Sequence, residues 1–414
     1  MAKTFFKGCV LSLMVLGLTT SAWAADVFEL ERRINSLSEE LDQVKRSGGA
    51  GSHDRVSVHG YGEMHINGEG GAKTRADNHR FVIGVHAELA DWIHLNAEID
   101  FEHAAQELEF EFGYLDFLLS KNLNARAGVV LMPIGYLNEN HEPPLFWTVE
   151  RPEFHQKIIP TTWNASGAGI FGTAMDGVNY RLYVTNSLQS IRPDSTSDVG
   201  SGNGNGGANG RFRASDGIRG GRLQPNNRVM DDIAVSGRLE FTKLYEGLNV
   251  GVSFYNGDTT HGFIDEGGNT TILEADVRYR KQWFEMNSSI ANIDIDDAAA
   301  LNTFCGAHSG CTTDIAENIF GWNIQAGVHL FQLLGKNTTQ DLVPFVLYES
   351  IRPQDEMPAG ATATSPTSNF NVVTVGMSYM PVPSVALKMD YSHLDFDRTN
   401  ATTDKFNLGV AYMY

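Results

Sequence analysis

Residues 134–165 gather most of the side chains that could do chemistry. They hold Glu139, His141, Glu142, Glu150, Arg151, Glu153, His155 and Lys157, interleaved with Phe146, Trp147 and Trp163. Imidazoles beside carboxylates can move protons, ligate metals or line a wet passage. Further such groups recur at alternate positions: His59, Glu63 and His65; His86 and Glu88; His94, Glu98, Asp100 and Glu102; Glu109 and Glu111. A period of two puts each set on one face of an extended strand, with Val58, Ile83, Val85, Leu95, Ile99 and Phe101 on the other. Neighbours two apart on a strand do not by themselves close a coordination sphere, so no metal site is expected. Basic groups come later, as Arg126, Arg181, Arg238, Arg278 and Arg280. An acidic quarter facing a more basic wall would set a transverse field across a lumen. The plainer reading is a solvated polar lining.

Catalysis finds no foothold. The chain has no Gly-x-Ser-x-Gly, no His-Glu-x-x-His and no glycine-rich phosphate loop leading into a helix. Neither an enzyme nor a cofactor is expected. Cys305 and Cys311, in Cys-Gly-Ala-His-Ser-Gly-Cys, read as a small disulfide loop in an exported chain. A metal site using His308 is the alternative, though a fourth ligand is not evident.

The elements that would position these groups are strands. At the C-terminus Phe406, Leu408, Val410, Tyr412 and Tyr414 point one way, and Asn407, Gly409 and Ala411 the other. From residue 55 to 414, sixteen such segments follow one another, with no later run near ~18 apolar residues that could make a spanning helix. Their connections alternate: 90–92, 120–122, 176, 244–247, 281–282 and 381–383 are short, while 134–165, 188–229, 294–318 and 353–368 are long. Short turns on one rim and long loops on the other are expected of an antiparallel transmembrane barrel, whose last strand must close on its first. Sixteen strands would leave an aqueous lumen. The third long-rim loop, 134–165, has polar groups suited to water and aromatics suited to a wall. It is expected to fold inward; an external lid is the alternative. The glycine tract 200–210 reads as a flexible external segment.

The first 54 residues differ in kind. Lys3, Lys7, a short apolar run and Ala22-Trp23-Ala24 form a cleavable secretory leader over 1–24. Over 25–46, Val27, Leu30, Ile34, Leu37, Leu41 and Val44 alternate spacings of three and four, as in a short periplasmic coiled coil. Three heptads are marginal alone and become plausible if three barrels hold them together; a helix lying on its own barrel's rim is the alternative. Residues 47–54 form a linker. The formal charge of −19, taken to −21 by loss of the two leader lysines, argues against nucleic-acid binding.

With these residues placed, the chain resembles the phosphate-selective porin O and P family and its porin relatives. The resemblance runs loosely over 55–414. It is strongest in Gly113-Tyr114-Leu115-Asp116, Arg126-Ala127-Gly128, Met132-Pro133-Ile134-Gly135 and Glu150-Arg151 ahead of residues 160–167. The resemblance implies a homotrimeric channel of the cell outer membrane, in contact with lipid bilayer and lipopolysaccharide, with the third loop inside. A coiled coil ahead of the barrel is similar to that of some trimeric diffusion porins for acidic solutes. Phosphate selectivity is not transferred: in that family it rests on an arginine ladder and constriction lysines, whereas here only Arg151 and Lys157 are basic in a net acidic loop. The expected function is passive diffusion of small hydrophilic solutes or ions, with weak cation preference. The lining would include Glu98, Asp100, Arg126, Arg181, Arg278, Arg280, Glu139, His141, Glu142, Glu150, Arg151, Glu153 and Lys157. A surface, adhesive or structural barrel without an open channel is the alternative.

Overall fold

The structure, a computed structural model, describes residues 55–192, 212–223, 230–265, 267–308, 312–361, 365–399 and 401–414. The expected leader, coiled coil and linker, the glycine tract and Cys311 lie outside the described residues.

Alternation becomes sixteen antiparallel strands. They are β1 (Val56–Glu69), β2 (Arg75–Ala90), β3 (Ile93–Glu102), β4 (Glu107–Phe117), β5 (Asn124–Leu131), β6 (Asn164–Met175), β7 (Val178–Asn186) and β8 (Ile233–Tyr245). The second half comprises β9 (Leu248–Asp258), β10 (Asn269–Lys281), β11 (Phe284–Ile295), β12 (Asn318–Val328), β13 (Asp341–Glu356), β14 (Phe370–Val382), β15 (Val385–Phe396) and β16 (Thr402–Met413). Each pairs with its sequence neighbours, and β16 pairs with β1 to close the barrel. Closure leaves no unpaired edge for lipid to meet.

The closing seam explains the terminal aromatic. Gly60 and Tyr414 exchange both backbone hydrogen bonds, at 3.0 and 2.9 Å, and the Tyr414 hydroxyl donates to the Val82 carbonyl at 3.0 Å. A Cβ on Gly60 would stand 2.7 Å from that hydroxyl, so glycine is what lets the ring lie across the seam. Outside, cross-strand pairs build an apolar surface. Met377 faces Met389, Met389 faces Leu408, and Leu408 faces Ile66. Phe406, Leu408 and Val410 are exposed, while Asn407 and Ala411 at alternate positions are buried, so the sequence parity holds.

Two expectations need correction. The apolar run from Ile319 predicts a twelfth strand over 319–333, but the strand does not run on to Leu333. It stops at Val328, and Leu330–Leu333 makes one helical turn on the short rim. Gly335, at φ +64°, ends that turn, with Lys336 N–H bonding to the Phe331 carbonyl. Eleven residues already cross the membrane, so the remaining apolar stretch had no strand partner to extend along. The interior is also not uniformly polar. Ile272, Ile293, Ile319, Ile351 and Val372 point inward and form an apolar cluster with Met132, Ile158, Trp163, Ile191, Phe212, Ile218 and Leu301 of the long-rim loops. Parity tells which face a residue takes, but not that a loop will cover it.

Candidate functional site

The segment 132–163 joins β5 to β6, and its ties reach inward-facing side chains around the barrel. Its aromatics pin it. The Trp147 ring centroid lies 5.9 Å from that of Phe345 on β13, in space opened by Gly327, where a Cβ would come within 2.6 Å of the indole. Trp163 packs 5.3 Å from Tyr255 on β9. Phe146 lies under the buried Lys388 ammonium, 3.9 Å from its ring centre.

Polar ties do the rest. Lys388 on β15 donates to the Pro143 and Thr148 carbonyls at 2.6 and 2.9 Å, and Asp390 accepts the Val149 N–H at 2.6 Å. Glu349 on β13 accepts the N–H groups of Glu153 (3.1 Å) and Phe154 (2.8 Å), capping the helix Phe154–Lys157. Glu153 itself pairs with Lys405 of β16 at 2.9 Å. On β1, His65 sits 2.8 Å from Glu150, and Asn67 donates to the same carboxylate at 2.6 Å. Burial alone would raise the Glu150 pKa, but the hydrogen bond and charge of His65 outweigh it and bring it down to about 2. His141 faces Glu111 of β4 at 2.8 Å, and Glu139 faces Arg181 of β7 at 2.9 Å. A cavity of about 490 Å³ lies beside the loop, lined among others by Asn67, Glu150, Arg151, Glu349, Lys405 and Asn407.

The expected division into acidic quarter and basic wall does not hold. Arg126 binds Asp116 through two hydrogen bonds at 2.7 and 2.9 Å, and Arg280 pairs with Glu285 at 3.3 Å, each across its own hairpin. Arg238 reaches Asp276 at 2.6 Å, and Arg278 pairs with Glu240. The acidic side in turn contains Arg80, buried among Glu63 (3.1 Å), Asp100 (3.2 Å) and Glu102 (2.7 Å). In a partly filled lumen each guanidinium loses water and needs counter-charge close by, so the signs mix locally.

Of the residues singled out from the sequence, Glu139, His141, Glu142, Glu150, Arg151, Glu153 and Lys157 come together on the loop. Glu98 and Asp100 approach it from β3, and Arg181 and Arg278 from β7 and β10. Lys157 donates to the Ser215 carbonyl at 2.7 Å. Sequence reasoning missed Arg80, Glu349, Lys388, Asp390 and Lys405, although their inward parity was a usable signal. It also missed Arg219 and Arg222 of the fourth long-rim loop. Arg222 donates to the Thr161 carbonyl at 2.6 Å, and its charge, with burial, holds Arg219 well below the usual arginine range. Among the described residues, no carboxylate pairs with Arg151, Arg219 or Arg222. Cys305 is buried in the helix Ala298–Ala307.

No protein-family model matches the chain. An uncharacterized protein of Aquifex aeolicus is 29% identical over 374 residues, covering 87% of this chain and 80% of that one. Among solved structures, the outer membrane channel DcaP of Acinetobacter baumannii is similar in fold, with TM-score 0.53, 10% identity, and coverage of 87% of this chain and 97% of that one. The anion-selective porin from Comamonas acidovorans gives 0.51, 9%, 87% and 99%, and the loop L8 deletion mutant of OmpT from Vibrio cholerae 0.52, 9%, 87% and 99%. At such identities the likeness is one of fold. A closed sixteen-stranded barrel with an apolar exterior is built for the outer membrane, and that is where this chain belongs.

Proposed function

We propose that the protein is an outer-membrane porin, a passive channel for small hydrophilic solutes or ions, narrowed by residues 134–165 folded into its lumen. One observation carries the reading: a single loop is tied to inward side chains of β1, β4, β7, β13, β15 and β16. Those strands surround the lumen, and ties to all of them support a loop that runs inward across it. In this reading the constriction is lined by Glu139, His141, Glu142, Glu150, Arg151, Glu153 and Lys157, with Glu98, Asp100, Arg126, Arg181, Arg278 and Arg280 on the wall. Local pairing of the wall arginines supports weak selectivity, and the excess of acidic groups supports a cation preference. Arg151, Arg219 and Arg222 temper it. Kinship with the phosphate-selective porin O and P family is retained for architecture, and phosphate selectivity is withheld.

The same reading includes a leader over 1–24, a coiled coil over 25–46 that assists a homotrimer, a linker over 47–54, a Cys305–Cys311 disulfide, and contact with lipopolysaccharide. The apolar cluster of loops within the mouth favours a second reading, a surface or structural barrel with no open bore. Planar-bilayer recording separates the two. Stepwise openings in groups of three support the porin, and a barrel that inserts yet passes no current overturns it.

A further inference from the structure

One cluster beside the third loop brings two buried carboxylates and an imidazole together, with the Arg80 and Arg151 charges nearby but bonded to none of the three. Glu98 projects inward from β3. Glu111 projects inward from β4 at a β-bulge: Glu98 pairs with Phe112 and Ile99 with Phe110, so Glu111 is the extra residue. The bulge turns both Glu111 and Phe112 inward and brings the Glu111 carboxylate toward Glu98. His141 reaches the pair from the loop. One ligand atom from each of Glu98, Glu111 and His141 lies within 4.8 Å of the other two, and the residues are 6%, 4% and 3% exposed.

The donor inventory makes the cluster incomplete as a purely protein network. His141 Nδ1 lies 2.8 Å from the Asn138 carbonyl, which can only accept, so Nδ1 carries the ring proton. In the neutral ring Nε2 is then a lone pair, which faces Glu111 Oε1 at 2.8 Å and the Tyr61 hydroxyl, the one donor there, at 3.0 Å. Two electron-rich atoms at that distance need a cation between them or an extra proton. Glu98 Oε2 and Glu142 Oε2 are buried with no hydrogen-bond partner, and His59 stands 3.7 Å from the other Glu98 oxygen. Arg80 is already shared by Glu63, Asp100 and Glu102.

We propose that Glu98, Glu111 and His141 bind a divalent metal ion of the zinc class, which staples the third loop to the β3–β4 hairpin. One imidazole nitrogen and two carboxylate oxygens are ligand types that zinc takes, and three of them leave a fourth position open. A hard cation such as calcium would demand six or more oxygens. The outer shell is also present. The Asn138 carbonyl holds the Nδ1 proton, and the Tyr61 hydroxyl, 3.0 Å from His141 Nε2 and 3.2 Å from Glu111 Oε2, is freed by an ion on Nε2 to donate to the carboxylate. The staple rests on the inward placement of residues 134–165 proposed above.

The test uses the folded, chelator-stripped protein in detergent, titrated calorimetrically with Zn²⁺ alone. One ion per chain is expected, with affinity lowered at least about tenfold in Glu98→Gln and in His141→Gln. His141 lies in a loop, so its variant leaves the strands intact, and heat-modifiable migration checks the folding of both. The rim groups Asp77, His79 and His103 form a competing cluster. A double variant His79→Gln/His103→Gln is therefore expected to retain the tight ion. Absence of Zn²⁺ binding would mean an imidazolium–carboxylate pair and overturn the site. So would binding that survives His141→Gln but vanishes in the double variant. Failure of the channel reading is scored separately, as absence of conductance steps from the same preparation.

Discussion

Replacing Glu349 by glutamine tests the docking of the third loop at a single side chain. Glu349 is 1% exposed, and each of its carboxylate oxygens accepts one N–H from the first turn of the helix Phe154–Lys157. Glutamine keeps the shape but turns one acceptor into an NH₂ group that confronts an N–H. A buried donor left unmet costs about 1–3 kcal/mol, and the surviving bond loses its charge assistance. A net loss of about 2–3 kcal/mol is expected, which lowers the docked-to-undocked ratio roughly 30–150-fold. Single-channel recording is the assay. Glu349→Gln should show higher mean conductance and more open-channel noise, while heat-modifiable migration stays unchanged because no strand ladder is touched. Wild-type conductance and noise in the variant would refute the idea that this carboxylate holds the loop. Loss of heat-modifiable migration would refute the separation of loop docking from barrel stability.

Three further outcomes are expected. His155 is buried with neither ring nitrogen hydrogen-bonded, and burial, then the Arg151 charge, push its pKa down to about 3. An undocked loop would bind that proton near pH 6.5, so docking weakens by up to about 1.4 kcal/mol per pH unit as pH falls from 6.5 toward 3. Glu150, lowered to about 2, adds a further loss only as pH drops below the ordinary carboxylate range. His155→Phe should therefore flatten the rise in channel noise between pH 6.5 and 4, and an unaltered pH profile would count against it. Reversal potentials in a salt gradient should show weak cation preference, with clear anion selectivity as the contrary result. Deleting residues 25–46 should loosen the trimer in mild detergent without changing barrel migration; a trimer of unchanged stability would show that the segment is not an assembly device.

The β-barrel was legible in the chain because a strand's period of two is a local property of the backbone. Phe406, Leu408 and Val410 had to share a face opposite Asn407 and Ala411 wherever the strand ended up. The same rule put Glu98 and Asp100 inside. The run after Val328 misled, since Leu330, Phe331, Leu333 and Leu334 are apolar enough for a strand but turn as a helix ahead of Gly335. The ties of the third loop to the barrel wall go with the aromatics and charges its sequence carries. The groups that hold it, Glu349, Lys388, Asp390 and Lys405, were not anticipated, because nothing near them in sequence names their partner.

From sequence alone came the strand count, the two unlike rims, the greasy exterior and the third loop as the place to look. Tertiary structure alone decided the pairings. Lys388 meets a carbonyl 245 residues away, and Arg238 finds Asp276 only after β8, β9 and β10 lie in register. Side-chain direction follows from covalent geometry one residue at a time. Which charge neutralises which depends on distances set by closing the whole sheet, and in a lumen partly emptied of water those distances govern the energy.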